Sequence, residues 1–335
     1  MVSYDVTVST SQPSFTIDTV DLGSSSASDE LGAALERTGF VQLVGHGIDE
    51  AVRAEHRSAC DSFFALPESS KLAYTYDDPT ANRGYRRKGS EALSYSLGRP
   101  APPDLFESFN ASVREDAEGS QRFAERTPWP DADVPGFRGA TEGYIAAVGA
   151  LVHDLDVRIG ELLDIDWLAA RSSGTIDTLA TINYRPNPDG TEPAVEGQQR
   201  MGAHSDYTSF TVLDADPVPG LQIVTPAGEW ADVQPEPGAL LMNVGDVLAM
   251  LTNDRWPSTL HRVVPMSAGS APFRRSIAYF HYPDLDLEIA PLAAFVEDEP
   301  HYEAVTVEAH VFDKLAAPKV HEKASGVNTD AGRLS

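Results

Sequence analysis

A short segment of the chain carries residue types that bind metal ions. Residues two apart on a strand point to the same face, so His204 and Asp206 can offer an imidazole nitrogen and a carboxylate oxygen to one ion, while Ser205 points away. His261, close to a later apolar pair, Val263-Val264, would complete the set. Two imidazoles and one carboxylate on one face of an octahedron suit Fe(II) and leave the opposite positions open for a bidentate co-substrate and O₂.

A candidate anion receptor lies further along the chain. The alternation in residues 273–280 predicts a strand with Arg274, Ser276, Ala278 and Phe280 on one face. A cation on a face that otherwise carries small and apolar groups needs a partner. A guanidinium with a hydroxyl two residues further on can bind a carboxylate through charge-assisted hydrogen bonds. The distal carboxylate of 2-oxoglutarate would be such a partner.

Short motifs in a fixed order extend this pattern over most of the chain. The N-terminal half contains Gly39-Phe40-Val41-Gln42-Leu43-Val44-Gly45-His46-Gly47-Ile48, Phe63-Phe64-Ala65-Leu66-Pro67, Arg83-Gly84-Tyr85 and Glu107-Ser108-Phe109. The C-terminal half contains Asn183-Tyr184, His204 with Asp206, Gly220-Leu221-Gln222, Asn243-Val244-Gly245-Asp246, His261-Arg262-Val263-Val264 and Arg274 with Ser276. Taken together, these motifs resemble the isopenicillin N synthase-like branch of the Fe(II)/2-oxoglutarate-dependent oxygenases.

The resemblance implies a mainly β fold with packed helices, whose core is a distorted double-stranded β-helix of the jelly-roll, cupin-like type. It implies that His204, Asp206 and His261 hold Fe(II), and that Arg274 and Ser276 hold 2-oxoglutarate. The implied reaction is oxidative decarboxylation of 2-oxoglutarate with O₂, coupled to oxidation of an unactivated C–H bond. Hydroxylation, desaturation or cyclisation of a small metabolite, in secondary metabolism, would be the outcome.

The alternating segment 178–184 predicts a half-buried strand that ends at Asn183 and Tyr184. Members of the resembled family usually have Tyr directly before Pro here, whereas this chain has Tyr184-Arg185-Pro186. The resemblance implies that Asn183 and Tyr184 contact the co-substrate or the substrate, provided that the strand keeps its register. Residues 187–200 are expected to form a hairpin or flap before the metal-binding segment.

A cluster of basic residues, Arg83, Arg86 and Arg87, lies in a Pro- and Gly-rich loop over residues 77–103. Two interpretations stay open. The cluster is either a solvated charge run that balances nearby acidic residues, or a positive patch that contacts a polar or anionic substrate. In the resembled family this loop borders the active site opposite the face that carries Phe280, so Arg83, Arg86, Arg87 and Phe280 are candidate substrate contacts.

Composition narrows the possible partners. With 51 acidic and 25 basic residues, the formal charge of −26 opposes binding to nucleic acid or to an anionic membrane, which favours a small-molecule substrate. The single cysteine, Cys60, excludes an intrachain disulfide and is expected to be a small buried residue. No leader-like segment is visible at the start. We therefore expect a cytoplasmic monomer.

The 335 residues divide into four regions of one catalytic unit. These are an N-terminal oxygenase-family region (1–126), a connector with a backing helix (127–172), the jelly-roll core (173–285) and a C-terminal segment (286–335). Apolar spacing predicts helices over 31–38, 52–64 and 137–163, and a short strand over 15–18.

Three other functions stay open at this point. An iron oxidase of the same fold could use O₂ without 2-oxoglutarate, because the pair Arg274 and Ser276 can hold a substrate carboxylate instead. A non-catalytic binding module or a Zn(II) hydrolase could also use the scaffold, although a complete set of three ligands argues against a binding module without a metal.

Overall fold

The strands of the protein alternate between side chains that face a helical layer and side chains that face an internal cavity. The computed structural model describes residues 15–77, 82–97, 101–114, 125–185, 195, 197–265 and 274–316. The described residues do not include most of the hairpin or flap expected over 187–200. They also do not include the end of the C-terminal segment.

The strands of the described residues are short, as is usual for a jelly roll. They are β1 (Asp18–Asp21), β2 (Phe40–Val44), β3 (Gly84–Arg86), β4 (Glu107–Ser112), β5 (Thr178–Asn183), β6 (Met201–His204), β7 (Phe210–Ala215), β8 (Leu221–Val224), β9 (Trp230–Asp232), β10 (Leu240–Val244), β11 (His261–Val263), β12 (Arg275–His281), β13 (Glu288–Ile289) and β14 (Val305–Thr306). The α-helices are α1 (Ala27–Thr38), α2 (Glu50–Phe64), α3 (Glu68–Lys71), α4 (Phe137–Leu163), α5 (Asp246–Leu251) and α6 (Val307–Ala316).

Two sheets form the core. The larger has the strand order β1-β2-β10-β7-β12-β5-β4-β3, and the smaller has the order β6-β11-β8-β9. Apolar side chains from both sheets, including Ile182 and Ala278 from the larger and Leu221 and Val263 from the smaller, belong to one buried cluster. The sheets therefore face each other as the two layers of a double-stranded β-helix, which confirms the expected fold.

The two faces of β12 show how period-two alternation separates scaffold from site. Ile277 and Tyr279 pack into the large apolar cluster that includes Tyr144 and Val148 of α4. Ala278 belongs instead to the cluster between the sheets. Side chains of α2 and α4 share the large apolar cluster with the outward-facing side chains of the larger sheet, so the inner face of this sheet is left to line the cavity.

Gly39 connects the helical layer to the core. It ends α1 with φ 66°, and its N–H donates a 2.9 Å hydrogen bond to the carbonyl of Leu35. A Cβ at this position would lie 2.0 Å from the carbonyl oxygen of Pro257, so a residue with a side chain would clash. The turn lets β2 begin at once with Phe40, whose ring lies edge-on to that of His261 at 5.5 Å between centroids.

The predicted helices are found with small shifts at their ends. The helix over 137–163 has the expected bounds, whereas α1 begins at Ala27 and α2 at Glu50. The strand expected over 15–18 was wrong, because β1 instead covers Asp18–Asp21 and pairs in parallel with β2. Tertiary pairing outweighs the local apolar pattern here. Cys60 is buried as expected, and burial raises the pKa of its thiol to about 12.

A buried charge network anchors the end of β12. His281 lies between two carboxylates, with Nδ1 2.7 Å from Asp177 and Nε2 2.9 Å from Asp156 of α4. Burial alone would lower the pKa of His281, but the two carboxylates outweigh it and raise this pKa to about 10. The imidazolium thereby ties the strand that carries Ser276 and Phe280 to the backing helix.

This network predicts a pH-dependent stability. A histidine with a raised pKa in the folded state stabilises the fold fully below its unfolded pKa, and this contribution is lost as the pH rises through the folded pKa. We expect the free energy of unfolding to fall between about pH 6.5 and pH 10, and to fall less steeply in a His281→Gln variant. Urea unfolding at pH 7 and pH 9.5 measures the difference, and parallel losses in both proteins would contradict it.

Among the described residues, no helix combines the length and apolar character needed to cross a membrane.

Candidate metal centre and co-substrate pocket

The three predicted metal ligands meet at one wall of the cavity. His204 ends β6, His261 begins β11, and the two residues are paired across the antiparallel ladder. Asp206 follows β6 by two residues, and its Oδ1 lies 3.8 Å from Nε2 of His204 and 3.7 Å from Nε2 of His261. All three candidate ligand atoms lie within 4.8 Å of one another. One metal ion could therefore bind all three ligand atoms.

Hydrogen bonds to the opposite side of each ligand fix which atom faces the ion. Nδ1 of His204 lies 2.8 Å from the carbonyl of Gly202, and Nδ1 of His261 lies 3.1 Å from that of Thr259. Donation from each Nδ1–H leaves Nε2 with its lone pair for a metal. Oδ2 of Asp206 accepts hydrogen bonds from Thr211 at 2.6 Å and Asn243 at 2.8 Å, which leaves Oδ1 for the same ion.

The electrostatics also suit metal binding. Burial, and secondarily the neighbouring His261, lower the pKa of His204 to about 4. The imidazole is therefore neutral at pH 7, as a metal ligand must be. Two neutral imidazoles and a carboxylate on one side, with the cavity on the other, fit an Fe(II) ion with open coordination positions.

A close backbone contact positions the metal-binding strand. The N–H of Gly202 donates a 2.9 Å hydrogen bond to Oδ1 of Asp104, and the N–H of Leu93 donates one of 2.9 Å to Oδ2. A Cβ on Gly202 would lie 2.4 Å from Oγ of Ser94, so only glycine fits without a shift. The carbonyl of Gly202 also accepts the hydrogen bond from Nδ1 of His204. Asp104 therefore helps to position the metal ligand His204 through the backbone of Gly202.

The predicted carboxylate receptor lies in the same cavity. Arg274 is completely buried, and its Nη1 donates a 2.5 Å hydrogen bond to Oγ of Ser276. Its Nε and Nη2 have no hydrogen-bond partner. Burial lowers the pKa of this guanidinium, although no ordinary pH removes its charge. A buried cation with unused donors fits an anionic ligand, such as the distal carboxylate of 2-oxoglutarate.

Tyr184 completes this end of the cavity. Its ring centroid lies 5.4 Å from the guanidinium carbon of Arg274, and burial raises the pKa of its phenol to about 12. Tyr184 lines the cavity together with Arg274 and Ser276. The strand register is therefore kept even though Arg185 stands where the resembled family usually has Pro.

Comparisons with known proteins agree with this geometry. The model of the 2OG-Fe(II) oxygenase superfamily matches residues 176–283, and a model of the N-terminal region of a non-haem dioxygenase in morphine synthesis matches residues 16–132. The 2-oxoglutarate-Fe(II) type oxidoreductase hxnY of Emericella nidulans is 30% identical over 285 residues, which cover 82% of this chain and 79% of that protein. The chain belongs to the 2OG-Fe(II) oxygenase superfamily.

Further relatives of this oxygenase come from bacteria and fungi. Validamycin A dioxygenase of Streptomyces hygroscopicus subsp. limoneus is 31% identical over 294 residues, which cover 82% of this chain and 79% of that one. The crystal structure of Neurospora crassa T7H with alpha-KG and thymine superposes with a TM-score of 0.77 at 28% identity, covering 90% of this chain and 96% of that chain. The oxygenase is therefore an enzyme that uses Fe(II), 2-oxoglutarate and O₂.

The oxygenase does not bring Asn183 to the cavity. Its Nδ2 donates a 2.8 Å hydrogen bond to Oε1 of Glu107, whose Oε2 accepts from Lys71 at 2.6 Å and from Tyr85 at 2.7 Å. Asn183 and Tyr184 are adjacent on the chain, and adjacent residues of an extended segment point to opposite sides. Asn183 therefore belongs to a buried polar network in the scaffold, which corrects its expected contact with the co-substrate.

The three loop arginines of the oxygenase have different surroundings. Arg83 is buried, and its Nη1 donates a 2.8 Å hydrogen bond to Oγ1 of Thr178, whereas Arg87 is exposed. Arg86 pairs with Glu91, and it is Glu91 that lines the cavity. None of the three arginines lies in the cavity wall, while Phe280 does. Substrate contact through these arginines stays a prediction.

Several side chains of the site were not expected from the sequence of the oxygenase. Thr211 and Asn243 hold Asp206, and Asp104 holds the strand before it. Asn243 stood in one of the resemblance motifs, which was a usable signal. Thr211 and Asp104 carry no local signal, because only tertiary packing brings them to the metal-binding strand.

Proposed function

We propose that this oxygenase oxidises an unactivated C–H bond of a small metabolite, with Fe(II) on His204, Asp206 and His261 and 2-oxoglutarate on Arg274, Ser276 and Tyr184. When bound, Fe(II) and 2-oxoglutarate with O₂ supply the oxidising equivalents, as 2-oxoglutarate is converted to succinate and CO₂. Hydroxylation, desaturation and cyclisation are all within reach of this chemistry. The protein supplies binding, orientation and exclusion of water.

One observation carries the proposal. Arg274 is fully buried with unused N–H donors, in the same cavity as three converging metal ligands. Burying a cation without a partner is unfavourable, so the site needs an anionic ligand to be stable. A co-substrate with a carboxylate at one end and metal-binding oxygens at the other satisfies both halves of the cavity.

The residues of this chain divide the task. The Nδ1 hydrogen bonds of His204 and His261 keep Nε2 directed at the ion, and Thr211 and Asn243 keep Oδ1 of Asp206 available. Apolar side chains of the cavity wall exclude water from the reacting groups and leave room for a substrate, among them Leu93, Phe106, Leu213 and Phe280.

The rival functions are less well supported. An oxidase that does not use 2-oxoglutarate would leave Arg274 to a substrate carboxylate, while the relative hxnY is named a 2-oxoglutarate-Fe(II) type oxidoreductase and the related T7H binds alpha-KG. The complete ligand set, with hydrogen bonds that orient each ligand, disfavours a non-catalytic binding module. A Zn(II) hydrolase would not need 2-oxoglutarate, so the guanidinium of Arg274 would have no co-substrate to bind.

The substrate of this chain is proposed to be a small molecule of secondary metabolism. Relatives carry names such as validamycin A dioxygenase, and the related T7H binds thymine. Four expectations stay predictions from the sequence. They are a monomeric state, a cytoplasmic location, the absence of nucleic-acid and membrane partners, and the division of one catalytic unit at residues 126, 172 and 285.

A succinate-release screen against a library of small metabolites tests the proposed function. The enzyme is dialysed against a chelator and then supplied with Fe(II), 2-oxoglutarate and air. We expect at least one metabolite to increase succinate formation and to gain or lose atoms that mass spectrometry detects. Turnover that is independent of O₂ and survives replacement of Fe(II) by Zn(II) would favour the hydrolase.

The loop arginines give a separate prediction once a substrate is known. Arg87→Ala should leave KM within about twofold, because exposed charges contribute little in water. Arg86→Ala leaves Glu91 in the cavity wall without its ion-pair partner, so it should change KM more at low salt than at moderate salt, upwards for an anionic substrate and downwards for a cationic one. If neither variant differs from the wild type, the loop is scaffolding; a large effect of Arg87→Ala would instead indicate an anionic substrate.

A further inference from the structure

The cavity contains two buried polar side chains whose unused groups require opposite kinds of partner. Arg274 offers N–H donors at the co-substrate end. Asn110 of β4 also lines the cavity, is only 7% exposed, and has an Oδ1 atom that is buried and without a hydrogen-bond partner. Burying an acceptor without a donor is unfavourable, so a ligand donor at this point would be stabilising.

The sheet register separates Asn110 from the co-substrate end. Asn110 is paired with Ala180 of β5, and Ala180 is paired with Ala278 of β12. Two strand spacings amount to about 10 Å, so Asn110 lies well to the side of β12, which carries Ser276. A molecule held at Asn110 can therefore share the cavity with 2-oxoglutarate.

The hydrogen bonds around Asn110 leave its oxygen for the ligand. Nδ2 of Asn110 donates a 2.9 Å hydrogen bond to Oδ1 of Asn82, and Asn82 also lines the cavity. Ser108, two residues before Asn110 on the same strand face, adds a hydroxyl to this wall. This part of the wall is polar but carries no charge of its own.

The charges of the wall disfavour an anionic substrate. Among the described residues that line the cavity, Arg274 is the one guanidinium or ammonium group. Glu91 adds a carboxylate to the wall, and its ion pair with Arg86 uses the neighbouring positive charge. With Fe(II) at +2, Asp206 at −1, 2-oxoglutarate at −2 and Arg274 at +1, these four charges sum to zero. A second anion would therefore meet the carboxylate of Glu91 with no net positive charge from the loaded site to balance it.

We infer that the substrate is an uncharged or cationic molecule that donates an N–H or O–H hydrogen bond to Oδ1 of Asn110, with an apolar portion against Phe106 and Phe280. This inference rests on the proposed oxygenase function and replaces the anionic alternative that the basic loop suggested. Asn110 is then a specificity-determining residue, and Glu91 supports the same preference for donors.

Binding of matched probes to the anaerobic enzyme loaded with Fe(II) and 2-oxoglutarate tests the inference. One set is thymine, its N,N′-dimethyl derivative and the carboxylate orotate; another is benzamide, N,N-dimethylbenzamide and benzoate. We expect an N–H probe to bind about tenfold or more tightly than its methylated and anionic counterparts, because these lose the donor or add a charge. Calorimetry measures each affinity.

Two variants assign the preference to Asn110. Asn110→Leu removes the acceptor at similar size and should weaken the N–H probe by about tenfold or more. Asn110→Asp keeps an acceptor for the ligand, while its second oxygen can accept from Asn82 once the Asn82 amide turns to donate, so this variant should retain binding. Stabilisation of Asn110→Leu by 2-oxoglutarate in thermal unfolding, equal to that of the wild type, shows that the variant is folded and its co-substrate site intact.

The outcomes separate this inference from the proposed function. Equal or tighter binding of methylated or anionic probes overturns the inference, as does unchanged binding by Asn110→Leu or no binding by either N–H probe. Failure of the wild type to bind 2-oxoglutarate would count instead against the proposed function, because that step does not involve Asn110.

Discussion

Replacing Asp206 with Ala is expected to abolish substrate oxidation and to remove high-affinity Fe(II) binding. The carboxylate supplies the one anionic ligand of the three, and its Oδ1 lies within 4 Å of both imidazole Nε2 atoms. Loss of a residue that only hydrogen-bonds to a metal ligand lowers metal affinity by about 10–100-fold, so loss of the ligand itself should lower it further. Equilibrium dialysis with Fe(II) under argon measures the affinity.

Two further variants make this test specific. Thr211→Val removes a hydrogen bond to Oδ2 of Asp206 and should weaken Fe(II) by about 10–100-fold while the ligand remains. Asp216→Asn removes a carboxylate that pairs with Arg275 and should leave Fe(II) affinity unchanged. Wild-type affinity and turnover in Asp206→Ala would show that the metal is held elsewhere.

Replacing Arg274 with Gln is expected to raise the 2-oxoglutarate concentration needed for half-maximal turnover by tens-fold or more. Truncating one partner of a buried, hydrogen-bonded charge pair costs about 2–5 kcal/mol, and Arg274 is fully buried. The effect should appear in the binding of 2-oxoglutarate rather than of Fe(II), because the guanidinium is not among the metal ligands. Thermal stabilisation by titrated 2-oxoglutarate measures it without a known substrate.

Arg275→Gln is the matched control, since it makes the same change one position along the chain. Arg275 points to the other face of β12, where Nη1 lies 2.6 Å from Asp61 and Nε lies 3.3 Å from Asp216. We expect this variant to lose some stability but to bind 2-oxoglutarate as the wild type does. Similar losses of 2-oxoglutarate binding in both variants would show a general effect of charge instead of a receptor at Arg274.

The sequence best predicted the side chains whose placement depends on the alternation of successive strand residues between two faces. His204 with Asp206, and Arg274 with Ser276 and Phe280, needed only the alternation of an extended chain to be placed on one face. The same rule could have corrected the expectation for Asn183, because two adjacent residues of a strand cannot both face the cavity. The helix over 137–163 was equally predictable from its regular apolar spacing.

The parts that could not be predicted depend on tertiary pairing. Thr211 and Asn243 reach Asp206 only because β7 and β10 are neighbours in the sheet, a fact that no local pattern contains. For Arg83 the sequence left open a solvated charge or a substrate contact, and the structure buries this side chain against Thr178. The role inferred for Oδ1 of Asn110 depends on the structure, which shows that this residue lines the cavity and that its Oδ1 has no hydrogen-bond partner.

Omission of single components from the reaction of exhaustively dialysed enzyme tests the central claim most directly. With a substrate from the screen, we predict that oxidation requires Fe(II), 2-oxoglutarate and O₂ together, and that succinate appears in proportion to the oxidised product. Oxidation that continues at full rate when 2-oxoglutarate is left out would contradict the account and show that Arg274 serves another ligand.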